Sequence, residues 1–156
     1  MDPLTPLGPS DMPDLVDFLT RSDLTLSGLD APTVRLWLLR DENGIVRGST
    51  GYELAEDGKN ALIRSVAVDT DLRGGGLGLE LGRFALDQAA AEGARRAWLF
   101  SRRSGPFWQR LGFTSADRME LARMLATTHQ VRLFRRTGQL DREVAWTRSL
   151  GGAAWR

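Results

Sequence analysis

The stretch "LRGGGLGLELG", Leu72 to Gly82, holds residue types suited to binding an anion. Glycine has no Cβ, so ligand atoms can approach its backbone closely. Successive N–H groups at a helix start, with the positive end of the helix dipole behind them, attract negative charge. Arg73 adds a planar charged fork that matches phosphate oxygens. The stretch follows an apolar run, Val66 to Val68, and a short acidic loop, and it leads into residues of helical composition. This reads as a phosphate or pyrophosphate cradle. The plainer reading is a turn whose glycines serve chain reversal and tight packing. Two familiar phosphate motifs are absent. G-x-x-x-x-G-K-[ST] needs a lysine, and the chain has only Lys59. G-x-G-x-x-G fails because its third glycine falls on Leu79 or Leu81.

The elements that must position this loop follow from periodicity. "DPLTPL", residues 2–7, suits a short edge strand, where proline is tolerated. "PSDMPDLVDFLTRS" reads as a helix with Leu15, Phe18 and Leu19 as its apolar stripe. Strands are predicted at 33–40, 45–56 and 61–68, joined by the turns "DENG" and "DGKN". Alternation along the third puts Leu62, Arg64, Val66 and Val68 on one face. A helix is predicted from Gly76 to Glu92, stopped by Gly93. A strand at 96–101, a short helix in "GPFWQRLGF", one helix from Met119 to Phe134 and a strand at 142–149 complete the order. Hairpins combined with one β-α-β crossover predict an α/β fold, a mixed and mostly antiparallel sheet with helices on both faces. Residues 1–150 read as a single domain, and 151–156 as a frayed tail.

Bulk properties narrow the function. The 156 residues suit one domain burying roughly 70% of its unfolded surface. A net charge of +1 lacks the basic excess usual in nucleic-acid binding, so no nucleic-acid partner is expected. The 20 arginines against one lysine are explained as readily by codon usage as by function. With no cysteine, disulfides, thiolate metal sites and a cysteine nucleophile are excluded. With one histidine besides, no metal site is expected. The N-terminus lacks a signal-peptide pattern and no apolar run suits a membrane span, so no membrane partner and a cytoplasmic location are expected.

The loop also fits R/Q-x-x-G-x-G/A as Arg73, Gly74, Gly75, Gly76, Leu77 and Gly78, preceded by "VAV". Here the chain resembles the GCN5-related N-acetyltransferase (GNAT) superfamily, in element order as well as motif. "FWQRLGF" is similar to that family's late "FY-x-x-x-GF" segment. A narrower likeness, through "LIRSVAV" and "FWQRLGF", is to the arsenic-resistance N-acetyltransferase group. That group tends to have a threonine-rich run where this chain has "SRRS".

The resemblance implies acetyl-CoA lying between the strand ending at Val68 and the strand at 96–101. Backbone groups of Val66 and Val68 would meet the pantetheine arm, and amides from Gly74 to Leu79, through Gly75, Gly76, Leu77 and Gly78, the pyrophosphate. An N–H near Val66–Ala67 would sit by the thioester oxygen. Arg73 and Phe107 belong to the same cofactor set. The implied reaction is acetyl transfer to the amine of a small molecule, an amino acid or an acidic analogue. A protein or peptide acceptor and a non-catalytic acyl-CoA-binding module remain as alternatives. A homodimer is compatible with the sequence.

Catalytic residues are harder to place. The family often has a glutamate on the strand matching 61–68, and this strand has no acid. Glu53 in "GYELAE" is the nearest candidate base, its plainer reading being a solvated strand carboxylate. Trp108 stands where the family often has a proton-donating tyrosine, and an indole N–H is no acid at neutral pH. It is assigned to the thioester end of the cleft, on the acceptor side. Arg64 would either receive an acidic group of the acceptor or pair with Glu53. His129 reads as a cap or solvent-facing residue, with a base role as the alternative. Arg102 and Arg103 read as solvated surface or as contacts to the CoA 3′-phosphate.

Overall fold

A computed structural model describes residues 3–151. Most of the predicted tail therefore lies outside the described residues. The strands are β1 (Thr5–Pro6), β2 (Val34–Arg40), β3 (Val46–Leu54), β4 (Asn60–Val68), β5 (Arg96–Phe100), β6 (Thr114–Ala116) and β7 (Ala145–Ser149). They form one sheet in the order β1-β2-β3-β4-β5-β7-β6. Every neighbouring pair is antiparallel except β4 and β5. The parallel pair is the one joined by a helical crossover, as its geometry requires.

The helices are α1 (Met12–Arg21), α2 (Leu77–Ala91), α3 (Gly105–Arg110), α4 (Arg118–Met124) and α5 (His129–Thr137). Alternate strand residues sort them onto two faces. Ala61, Ile63, Ala97 and Leu99 pack with Ala85, Leu86 and Ala89 of α2 and with Trp108 of α3. Leu62 and Trp98 point the other way, into Leu121 of α4 and Val131 and Phe134 of α5. On that second face Leu36 and Leu38 cover Leu15, Phe18 and Leu19 of α1. Each fully buried leucine, isoleucine, valine or phenylalanine among these is worth about 1.5–3 kcal/mol, so both faces contribute to holding the sheet.

Three expectations need correction. The helix expected over Met119–Phe134 is two helices, with the break at Leu125–Thr128. Thr128 is extended, and the first amide of α5 is met from outside the helix: the N–H of His129 donates to Glu53 Oε2 at 2.9 Å. The short edge strand β6 was not anticipated. Its three residues are exposed or half-buried and carry no alternating apolar signal.

The third correction concerns β4. Its register runs from Arg64 opposite Gly51 to Ala67 opposite Ser49, so Ser65 and Val66 together oppose one residue. This is a β-bulge, with Ser65 at φ 60°. Its carbonyl accepts from the Ser49 hydroxyl at 2.6 Å, which supports the distorted backbone. The bulge breaks the alternation. Val66 packs with Ile63 on the α2 face, whereas Arg64 stays with Leu62 on the face of α4 and α5. Arg64 therefore does not share a face with Val66.

Candidate active site

The sheet opens near the bulge. β4 and β5 pair only from Asn60–Arg96 to Leu62–Trp98. β4 continues to Val68 beside β3 alone, which leaves the second edge of Val66–Val68 without a strand partner. An open edge of this kind offers N–H and C=O groups to an extended ligand. A cleft of about 570 Å³ lies there. It is lined by Val66, Ala67 and Val68 from β4, by Phe107 and Trp108 from α3, and by the glycine loop. Ser22 and Leu24, from the segment between α1 and β2, also line it.

The loop is built by its backbone. Asp69 caps a short 3-10 turn, Thr70–Leu72, and pairs with Arg47 at 3.2 Å, which anchors the acidic stretch. Gly74 and Gly76 then adopt φ 91° and 83°, in the left-handed region, and α2 begins at Leu77. A Cβ at either glycine would meet nothing within 4 Å. The space in front of the loop is thus open, and the glycines are required for backbone conformation. Gly78 differs. A Cβ there would stand 3.2 Å from the Phe107 ring, so its lack of a side chain lets α2 and α3 approach. The start of α2 is held in place from below, where Thr50 donates to the Leu81 carbonyl at 2.7 Å.

These features fit an acyl-CoA. Amides from Gly74 to Leu79 stand at a helix start, Arg73 supplies a fork, and Gly74 and Gly76 leave room for phosphate oxygens. Arg110 is the other charged residue of the lining, which contains no Asp or Glu. Trp108 is stacked edge-on against Phe107 and Phe113, at centroid distances of 4.9 and 5.5 Å. Tyr52, the one tyrosine, is fully buried and donates to Glu92 just past the end of α2. Burial, with the Glu92 carboxylate beside it, pushes its phenol well above the ordinary range. It lies at the far end of α2 from the loop, roughly 22 Å along a helix of that length.

Glu53 is neither solvated nor in the cleft lining. Its side chain is 0% exposed on the opposite face from α2. It accepts from His129 N at 2.9 Å and Thr33 Oγ1 at 3.3 Å, and pairs with His129 Nδ1 at 2.7 Å and Arg64 at 3.5 Å. Arg64, equally sealed, also reaches Ser65 Oγ and the Thr25 carbonyl at 3.4 and 3.5 Å. Burial lowers its guanidinium pKa, against the opposing pull of Glu53. The structure pairs Arg64 with Glu53, one of the two alternatives the sequence left open for that arginine, and adds His129, which the sequence did not connect to either. The cleft-lining Ser22, Leu24, Ser104 and Arg110 went unnoticed, because Ser22 and Leu24 lie in an irregular segment and the other two carry no motif. Arg102 pairs with Glu143 at 3.5 Å.

The Acetyltransferase (GNAT) family model matches residues 6–113. A sheet forked beside a glycine-started helix defines the class, and the chain belongs to the GNAT family of acetyltransferases. It is an N-acetyltransferase that uses acetyl-CoA. No curated protein matches the chain. Among solved structures it is similar to N-acetylglutamate synthase from Neisseria gonorrhoeae, complexed with coenzyme A and N-acetyl-glutamate. That match has 17% identity and a TM-score of 0.73 over 97% of this chain, but the chain spans only 36% of the synthase. It is likewise similar to Rv2747 from Mycobacterium tuberculosis, in complex with CoA, with 18% identity, a TM-score of 0.72, and 94% and 98% of the two chains covered. Tetrahymena GCN5 gives 12% identity and a TM-score of 0.73 over 96% of each chain. At such identities the likeness is one of fold. No helix among the described residues is long and apolar enough to cross a membrane.

Proposed function

We propose that the acceptor is the primary amine of a small molecule that carries an acidic group, such as an amino acid. The observation that carries this reading is the charge of the cleft. Apart from Arg73, which faces the pyrophosphate in this reading, its lining holds Arg110 and no carboxylate, an environment that disfavours a polycationic acceptor. The Neisseria neighbour, a synthase of an acetylated amino acid, points the same way.

Acetyl-CoA supplies an activated thioester. In this reading Val66, Ala67 and Val68 hold the pantetheine arm through the open edge of β4. A backbone N–H at Val66 or Ala67 polarises the thioester oxygen. Amides of Gly74, Gly75, Gly76, Leu77, Gly78 and Leu79, with Arg73, bind the pyrophosphate. Phe107 and Trp108 wall the thioester end. The role of Arg64 follows from its burial: it ties Glu53 to the Thr25 carbonyl and so steadies the segment that bears Ser22 and Leu24.

The test is thiol release from acetyl-CoA with a panel of glutamate, glutamine, lysine, spermine and a short peptide. Glutamate or glutamine should give the highest kcat/KM. A preference for spermine or the peptide by tenfold or more would overturn the acceptor class.

A further inference from the structure

Amide formation needs an unprotonated nitrogen, yet an aliphatic amine with a pKa near ~10 is an ammonium at neutral pH. The cleft lining offers no base, since its ionisable side chains are arginines. Glu53 is sealed and occupied by four donors. On the acetyl-transfer reading above, we infer that His129 takes the acceptor's proton at Nε2, with Glu53 as the positioning residue that orients its ring.

The hydrogen bonds fix the ring. Glu53 Oε2 lies 2.7 Å from Nδ1 and also accepts the backbone N–H of His129 at 2.9 Å. A carboxylate can only accept, so the Nδ1 facing it carries the hydrogen, and in the neutral ring the lone pair is on Nε2. Nε2 has no protein partner among the described residues, and the side chain is 35% exposed, so water and small molecules reach it. The other wall is Gly28, at φ 69°, where a Cβ would stand 2.4 Å from the ring. The imidazole is therefore held between a buried carboxylate and a glycine, with one nitrogen free.

His129 is not itself a lining residue of the cleft; the segment between α1 and β2 runs from the cleft to this ring. Ser22 and Leu24 line the cleft, and Ser27 donates to the His129 carbonyl at 3.3 Å. Gln130 reaches Thr25 Oγ1 at 3.1 Å. Arg64, bonded to Glu53, precedes by two residues the Val66 that the bulge turns into the cleft. The charges facing the ring are Glu53 from β3 and, behind it, Arg64 from β4. Thr25–Leu29 brings none, and Arg132 stands one turn along on α5.

Nε2, directly or through a bridging water, removes one proton from the ammonium and later returns it to solvent. The freed lone pair forms the C–N bond, the C–S bond breaks with its electron pair passing to sulfur, and the nitrogen's second proton ends on the thiol.

The deciding variant is His129→Asn, whose side-chain amide keeps a donor toward Glu53 but has no basic nitrogen. With wild type active on the amine panel, kcat/KM for the acceptor should fall by ~10² or more. The acid limb of the pH profile should vanish, while the acetyl-CoA Kd stays within twofold. In His129→Ala, added imidazole should restore activity in part. Independently of activity, the single imidazole should appear in nitrogen-15 spectra as the Nδ1–H form in its neutral state. A folded His129→Asn with unchanged kcat/KM and pH profile overturns the inference, as does an Nε2–H form. If the variants do not fold, the tautomer and the wild-type acid limb decide. That limb must coincide with the imidazole titration seen by NMR, and a mismatch overturns the assignment. A wild type that binds acetyl-CoA yet acetylates no amine would instead strike the acetyl-transfer reading itself.

Discussion

The glycine loop and the Glu53–Arg64–His129 cluster both adjoin β4 but are made by opposite means. The loop is consecutive backbone, with two left-handed glycines facing open space. The cluster is side chains from β3, β4 and α5, and its closest bond joins residues 76 positions apart. Solvent reaches the loop, so a change there should alter ligand binding more than stability. In the cluster, Glu53 and Arg64 have left water entirely. Removing one partner leaves the other desolvated, and stability should respond first.

The largest effect is expected from Arg64→Ala. Breaking a buried ion pair costs about 3–5 kcal/mol. For a domain of this size that lowers Tm by roughly 6–20 °C. Acetyl-CoA affinity should hardly change, and adding Glu53→Gln should recover part of the loss. A Tm drop below about 2 °C, with a raised acceptor KM, would make Arg64 a recognition residue and erase the contrast.

Gly28→Ala should come next, at about 1–3 kcal/mol, the range for a strained backbone position. It combines φ 69° with a Cβ placed 2.4 Å from the His129 ring. Gly74→Ala has the positive φ but no steric partner, and should cost about 1 kcal/mol. Equal losses of Tm in the two variants would show that the ring gives way freely.

On the loop side, Gly76→Glu places a carboxylate where phosphate should bind. Calorimetry should find acetyl-CoA at least tenfold weaker, about 1.4 kcal/mol, in a protein that stays folded. Unchanged affinity would remove the anion site from the loop. The smallest effect is expected at Trp108→Tyr, which gives the cleft a hydroxyl without altering the loop or the cluster. Activity should be equal or higher. A folded, CoA-binding and inactive variant would count against Trp108 as a passive wall.

Much of this contrast was present in the sequence, though unevenly. The motif from Arg73 to Gly78, the two hairpins and the crossover helix were readable because each depends on neighbours along the chain. The bulge was not. Ser65 is a non-glycine residue at positive φ, and its support comes from Ser49 on the next strand. That one residue reversed the expected facing of Arg64 and Val66. The break between α4 and α5 was hidden for a similar reason, since its capping acceptor is Glu53.

The sequence by itself determined the class of fold, the glycine loop that starts α2 and the want of a family-like acid on β4. Backbone conformation and glycine's missing Cβ are local properties, and local properties are written in consecutive residues. Only the tertiary structure decided which face Arg64 takes, that Glu53 is sealed, and that His129 is oriented by it. Those outcomes depend on burial and on hydrogen bonds between distant segments, whose energies exist only once water has been excluded from between them.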